Sequence, residues 1–286
     1  MHLLESSLNK GIVLISFGSS TYAKYAYNMA YSLKYYCQSL PIYLFTDGIG
    51  MDEIDCSIFD KVERYNFDVN DPALNKINLF EISPFEKTLY LDIDGVCLKD
   101  IEPLFNELEN KNIFVQVVDS GKRYDKITYS EWADNETIWE HFNLGVDAIL
   151  CGLQSSIIYF DRSKIASDFF KKLKENYNNA LPKDKYLMLW GRKKHHPDEL
   201  YFAGTMAQMN IVPDNIRPIF FPDHVDSVEN IFKNHYILSC FGGQALMRPY
   251  AHDIYNRHLS SIMRANKKDN LFKSQNLYKN KMINIK

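Results

Sequence analysis

The sequence predicts an α/β protein built on an open, mostly parallel sheet with helices on both faces. Three observations lead there. Short apolar, β-branched runs alternate with segments of helical periodicity over the first 120 residues. Turn residues punctuate that alternation. The 286 residues are 46% hydrophobic and 24% charged, a globular composition with enough length for one large core or two small ones.

Each element follows from its residues. Residues 11–17 (GIVLISF) are continuously apolar, as in a strand covered on both faces. Residues 20–36 place Ala, Tyr, Met and Leu at helical spacing and end before Pro41. A second strand over 42–45 is stopped by Thr46, Asp47 and Gly48, and a weaker third covers 61–65. Pro72, following Asp71, suits the first position of a helix reaching about Glu81, and 87–91 form the fourth strand. Further strands are expected at 113–118, 155–160 and 236–241. Helices are expected at 163–177, with Ile165, Phe169, Phe170 and Leu173 on one side, and at 197–209. Between them, 121–152 reads as a long excursion carrying Trp132, Trp139 and Phe142; loops of that length are usually functional. With no internal repeat and no Pro/Gly/Ser linker, one domain over 1–255 is expected, followed by a basic extension over 256–286.

Charge and cysteines narrow the function classes. Lys and Arg number 33 against 36 Asp and Glu, a formal charge of −3, which argues against a whole-surface nucleic-acid binder. Yet residues 257–286 hold eight Lys or Arg against one acid, Asp269. Three readings of that tail stand: a solvated helix and chain end, a peripheral membrane contact, or a contact to a phosphate backbone. The five cysteines are scattered, with no CxxC pair, so a disulfide framework or structural zinc is not expected and a reducing, cytoplasmic setting is. The N-terminus lacks the pattern of a secretory signal, and no stretch approaches the roughly 18 apolar residues of a membrane span.

The stretch richest in chemistry is EKTLYLDIDG, residues 86–95. An apolar strand delivers two carboxylates, Asp92 and Asp94, one residue apart. Open α/β sheets bind ligands beyond the carboxyl ends of their strands, where this pair falls. Two hard oxygen ligands suit Mg²⁺ or Mn²⁺. Asp and Gly are also ordinary turn formers, so the pair alone is compatible with a plain turn.

Two families share this signature. Asp92-Ile-Asp-Gly resembles the first motif of haloacid-dehalogenase-like phosphatases, which implies Asp92 as a nucleophile; there the motif normally ends the first strand, and the nearest second acidic cluster here is Asp223 with Asp226. More of the chain resembles the metal-dependent GT-A glycosyltransferases, specifically family 8-like and glycogenin-like enzymes. The matching blocks are ISFGSSTY (15–22), Lys76 ahead of the D-x-D strand, YLDIDGVCLKDIEPLF (90–105), QSSIIYF (154–160), Asp198-Glu199 opening a helix, and HYILSCFGGQALMRPY (235–250). The resemblance implies a GT-A-like (Rossmann-like) fold and sugar transfer from a nucleotide-diphosphate donor, a UDP-sugar foremost, to a glycan, lipid-linked glycan, protein or nucleic acid.

By that resemblance Asp92 and Asp94 hold the metal, with His252 or His235 as a third ligand. Tyr22, Lys76, Gly242, Gly243 and Arg248 contact the donor. Asp198 and Glu199 face the reacting sugar. Gln154, Ser155 and Trp139, with Trp132 and His141, serve substrate or acceptor. A non-enzymatic binding module acting through the basic tail is the remaining alternative.

Overall fold

The computed structural model describes residues 8–122, 132–187, 196–220, 227–239 and 249–269. The strands are β1 (Leu8–Ser16), β2 (Ile42–Thr46), β3 (Lys61–Arg64), β4 (Phe85–Leu91), β5 (Gly95–Cys97), β6 (Ile113–Lys122), β7 (Leu150–Asp161), β8 (Ile219–Phe220) and β9 (Ile237–Ser239). The helices are α1 (Ser20–Tyr36), α2 (Pro72–Ile77), α3 (Leu79–Ile82), α4 (Glu102–Leu108), α5 (Asn135–His141), α6 (Lys164–Asn178), α7 (Asp198–Gln208), α8 (Val228–Asn234) and α9 (Pro249–Asp269).

The central sheet is mixed but mostly parallel, in the order β3-β2-β1-β4-β7-β6. β1 pairs with β2, and β2 with β3, in parallel, while β6 and β7 run antiparallel with register shifts along the pair. A small second sheet, β5-β9-β8, pairs β5 with β9 antiparallel and β8 with β9 parallel. The chain forms two compact units. One comprises Met1–Asn9, Phe67–Thr88 and Asn110–Arg217; the other comprises Lys10–Asn66, Leu89–Glu109 and Pro218–Lys286.

In the second unit, β1 buries Ile12, Val13, Leu14 and Ile15 in succession, as its unbroken apolar run requires. Ser19 caps α1 by accepting the Thr21 N–H, and α1 packs on β5. Gly95 opens β5 where a Cβ would lie 2.7 Å from the Leu238 carbonyl, so only glycine allows the β5–β9 approach. α9 packs against α1, β5 and β9 with Ile254, Tyr255, Leu259 and Ile262 buried on one face, and it runs unbroken through residue 255. Also on that face, His258 lies flat on Tyr36 (centroids 5.8 Å apart, planes 5° apart), with Phe232 of α8 edge-on at 4.8 Å. Its Nε2 is 2.9 Å from the Cys97 carbonyl, which can only accept, so that nitrogen is the donor.

In the first unit, α7 covers β7, with α6 and α2 packed beside it. Phe160, Phe169, Phe170 and Phe202 meet there in tilted and edge-on pairs. A Cβ on Gly204 would overlap the Phe142 ring, so glycine in mid-helix is what admits that ring. Arg162, at the end of β7, donates to the carbonyls of Phe80, Ser83 and Phe85, and its guanidinium sits 4.5 Å over the Phe80 ring.

Three expectations change. The helix foreseen to Glu81 is two short ones, because Asn78 leaves helical geometry (φ −87°, ψ 2°) between α2 and α3. The excursion foreseen over 121–152 contains helix α5, and long strands reach into both its ends. β5, α4, β8 and α8 were not foreseen; all are short.

Candidate active site

In the second unit the carboxylate pair follows β4 directly, in the turn before β5. Asp92 and Asp94 are half-buried and Ile93 between them is buried, so the backbone alternates two carboxylates against one apolar side chain. The Tyr90 hydroxyl donates to Asp92 Oδ1 at 2.5 Å, orienting that carboxyl as an outer-shell hydrogen bond orients a metal ligand. The ends of β1 and β2 are joined by Asp47: Gly18 N–H donates to its Oδ2 at 2.7 Å and Ile49 N–H to its Oδ1 at 2.9 Å. Gly18 has φ +81°, which glycine alone adopts freely. Tyr22, in the first turn of α1, is 44% exposed.

The donor set fits a hard divalent cation: two carboxylates one residue apart, one already oriented. Among the described residues, no group of three or more His, Cys, Asp or Glu side chains forms a metal-holding cluster, so a third protein ligand is not found there. His235 caps the end of α8, its ring 5.3 Å from Phe220. His252 lies on α9, its side chain outside the described residues; Gly242, Gly243 and Arg248 lie outside them entirely, as do Asp223 and Asp226.

In the first unit four expected residues converge. Lys76 of α2 donates to Ser155 Oγ at 3.1 Å and to the Ser155 carbonyl at 3.4 Å, and pairs with Asp198 Oδ2 at 3.4 Å. Ser155 Oγ, on β7, donates to Asp198 Oδ2 at 2.7 Å and lies 3.3 Å from Glu199 Oε1. Ser155 is fully buried, and the Lys76 and Asp198 side chains are 17% and 13% exposed. Burial pushes the Asp198 carboxyl up, but the Lys76 ammonium and hydrogen bonds from Glu199 and Ser155 outweigh it and hold Asp198 below the usual range. Burial first, and then the Asp198 charge, push Glu199 well above it.

Two other expected residues sit differently. Gln154 turns its amide to Ser156 Oγ at 3.0 Å, next to the converging cluster in sequence. Trp139 is 5% exposed, and its indole donates to the Gly145 carbonyl at 3.1 Å. Trp132 and Phe142 are buried as well, and His141 packs edge-on to Phe142.

A further group escaped the sequence reading. Asp71 makes no cap bond to α2; it accepts the Tyr177 hydroxyl at 2.5 Å. Tyr186 shares a 2.6 Å contact with the Tyr201 hydroxyl and a 2.8 Å contact with His196 Nδ1, and Tyr201 accepts from the Leu181 N–H. Burial pushes the Tyr177 phenol up, and the Asp71 carboxylate adds to it, so Tyr177 stays neutral beside Asp198. Nineteen tyrosines in the chain are the only trace of this group in the sequence, and nothing in their spacing brings these three together.

The mixed, mostly parallel six-stranded sheet with its packed helices is a GT-A-like fold. Among solved structures, the chain is similar to the galactosyltransferase LgtC in complex with donor and acceptor sugar analogs: 14% identity over 87% of this chain and 95% of that one, TM-score 0.56. It is also similar to apo WbbM, a bifunctional glycosyltransferase, at 11% identity over 85% of this chain, TM-score 0.52; the match spans 47% of WbbM. At these identities the likeness is one of fold. No protein-family model matches the sequence, and no curated protein matches it.

Proposed function

We propose that the protein is a metal-dependent glycosyltransferase that moves a sugar, a hexose foremost, from a nucleotide-diphosphate donor, a UDP-sugar foremost. The observation that carries this reading is the Asp92–Asp94 pair immediately after the central strand of a glycosyltransferase fold. Asp92 and Asp94 would hold Mn²⁺ or Mg²⁺, which when bound stabilises the negative charge of a departing diphosphate. Tyr22 offers an exposed ring to a nucleobase. Asp198 and Glu199, held by Lys76 and Ser155, serve the sugar hydroxyls and the reacting carbon. Gly242, Gly243 and Arg248 are proposed for the phosphates on their sequence pattern, and Gln154 for the substrate. The acceptor is a glycan, lipid-linked glycan, protein or nucleic acid, and a cytoplasmic setting with a membrane contact through the basic C-terminus is part of the same proposal. Among the described residues, no helix is long and apolar enough to cross a membrane.

A thermal-shift screen of UDP, GDP, CDP and TDP with and without Mn²⁺ tests the donor. One nucleotide diphosphate should raise the melting temperature in a Mn²⁺-dependent manner, and Asp94→Ala should abolish the shift. No stabilisation by any of the four defeats the proposal. Trapping of a phosphoryl group on Asp92, with hydrolysis of a generic phosphate ester, would move the protein to the phosphatase reading instead.

A further inference from the structure

Asp198 and Glu199 are neighbours in the first turn of α7, largely screened from water, with the Lys76 ammonium ion-paired to the first. Two ionised carboxyls in contact in such a place repel each other and each lose hydration, which a bound proton relieves. The contacts decide which carboxyl takes it. Lys76 Nζ is 3.4 Å from Asp198 Oδ2, and Ser155 donates its single hydroxyl proton to the same oxygen at 2.7 Å. Glu199 Oε1 stands 3.3 Å from that hydroxyl, whose proton is already committed to the nearer oxygen.

We infer that Lys76 and Ser155 are positioning residues that keep the pair as one carboxylate, on Asp198, and one carboxylic acid, on Glu199, at neutral pH. The directions in which the two groups are pushed agree with this assignment. Among the described residues, Tyr177 of α6, neutral and donating to Asp71 ahead of α2, and His196 ahead of α7, engaged with Tyr186, also stand by the pair. Resting on the glycosyl-transfer reading, the inference gives the sugar site one group that only accepts hydrogen bonds and one that also donates. A substrate oxygen that needs a donor is served by Glu199 only while its proton stays, so turnover should decline as pH rises through the Glu199 titration.

Carbon-13 NMR of ligand-free protein, labelled at its Asp and Glu side-chain carboxyls, tests the assignment. The unmodified protein should show one Glu carboxyl in its protonated position at pH 7, and that signal should be missing from Glu199→Gln. In Lys76→Met the acid-side titration of Asp198 should move up by about 1–3 pH units. Ser155→Ala should move it in the same direction, and Lys76→Arg should restore it; a merely structural role would leave these midpoints in place. A Glu199 carboxyl ionised at pH 7, or an Asp198 midpoint unmoved in Lys76→Met, overturns the inference. Because no nucleotide is present, this result stands or falls separately from the thermal-shift screen.

Discussion

Asp134 shows how much a single side chain contributes outside the candidate site. It caps α5 by accepting the Thr137 N–H at 2.9 Å and the Thr137 hydroxyl at 2.7 Å. The backbone bond from Thr137 holds its carboxyl below the ordinary Asp range, against the pull of burial. Replacing it with alanine should cost about 1 kcal/mol, read by urea denaturation at pH 7. A depressed carboxyl contributes stability that is present above its unfolded pKa and lost as pH falls through the folded one, so the difference between Asp134→Ala and the parent should shrink on acidification. A difference independent of pH would rule out the charged cap. At the same scale, the sequence placed Asp92, Asp94, Asp198 and Glu199 correctly because each is an acid at a strand or helix boundary. It could not show that Lys76 and Ser155 lie on Asp198, because those contacts join residues 43 to 122 positions apart in the chain. Trp139 is buried, and aromatic density marks a core as readily as a sugar platform.

Among elements, length governed legibility. β1, α1, β2, α6 and α7 were readable because each holds a full apolar pattern and a clear stop; α1 lies where its spacing put it, at Ser20–Tyr36. β5, β8, α4 and α8 have two to seven residues, too few for a period to register. β6 and β7 outran their apolar centres because register shifts along the pair break strict alternation. Element packing also supplies two mutational expectations. Gly204→Ala would gain about 1 kcal/mol of helix propensity, but overlap with the buried Phe142 ring costs about 1–3 kcal/mol. The variant should therefore melt lower than the parent; a higher melting temperature would show that the ring yields. Arg162→Met keeps the side-chain bulk but removes the donor to three carbonyls, and chemical denaturation should read a loss of about 2–4 kcal/mol.

For the whole molecule, the tail and the body proved harder to separate than charge suggested. Four of the eight basic residues after position 256, Arg257, Arg264, Lys267 and Lys268, lie on α9. That helix is anchored in the second unit by Ile254, Tyr255, Leu259 and Ile262. Removing residues 257–286 would strip buried Leu259 and Ile262 with His258, and should lower stability by several kcal/mol, read as a broad drop in melting temperature. A cut after Asp269 is the one that removes the remaining basic residues without touching this anchor, and vesicles of anionic lipid then report what those charges bind. Unchanged melting after the longer deletion would mean that the anchor contributes little.

The bed on which His258 lies makes the second unit acid-sensitive. Burial lowers the affinity of this imidazole for a proton, and the Cys97 carbonyl recovers part of it. The unfolded chain takes up that proton near pH 6.5, while the folded one resists. This stabilising contribution is therefore whole above the unfolded value and drains away below it, at up to about 1.4 kcal/mol per pH unit. A urea series between pH 7.5 and 5 should show that slope, and His258→Gln should flatten it by one proton. Acidification would then loosen the C-terminal helix from the strand that follows the D-x-D turn.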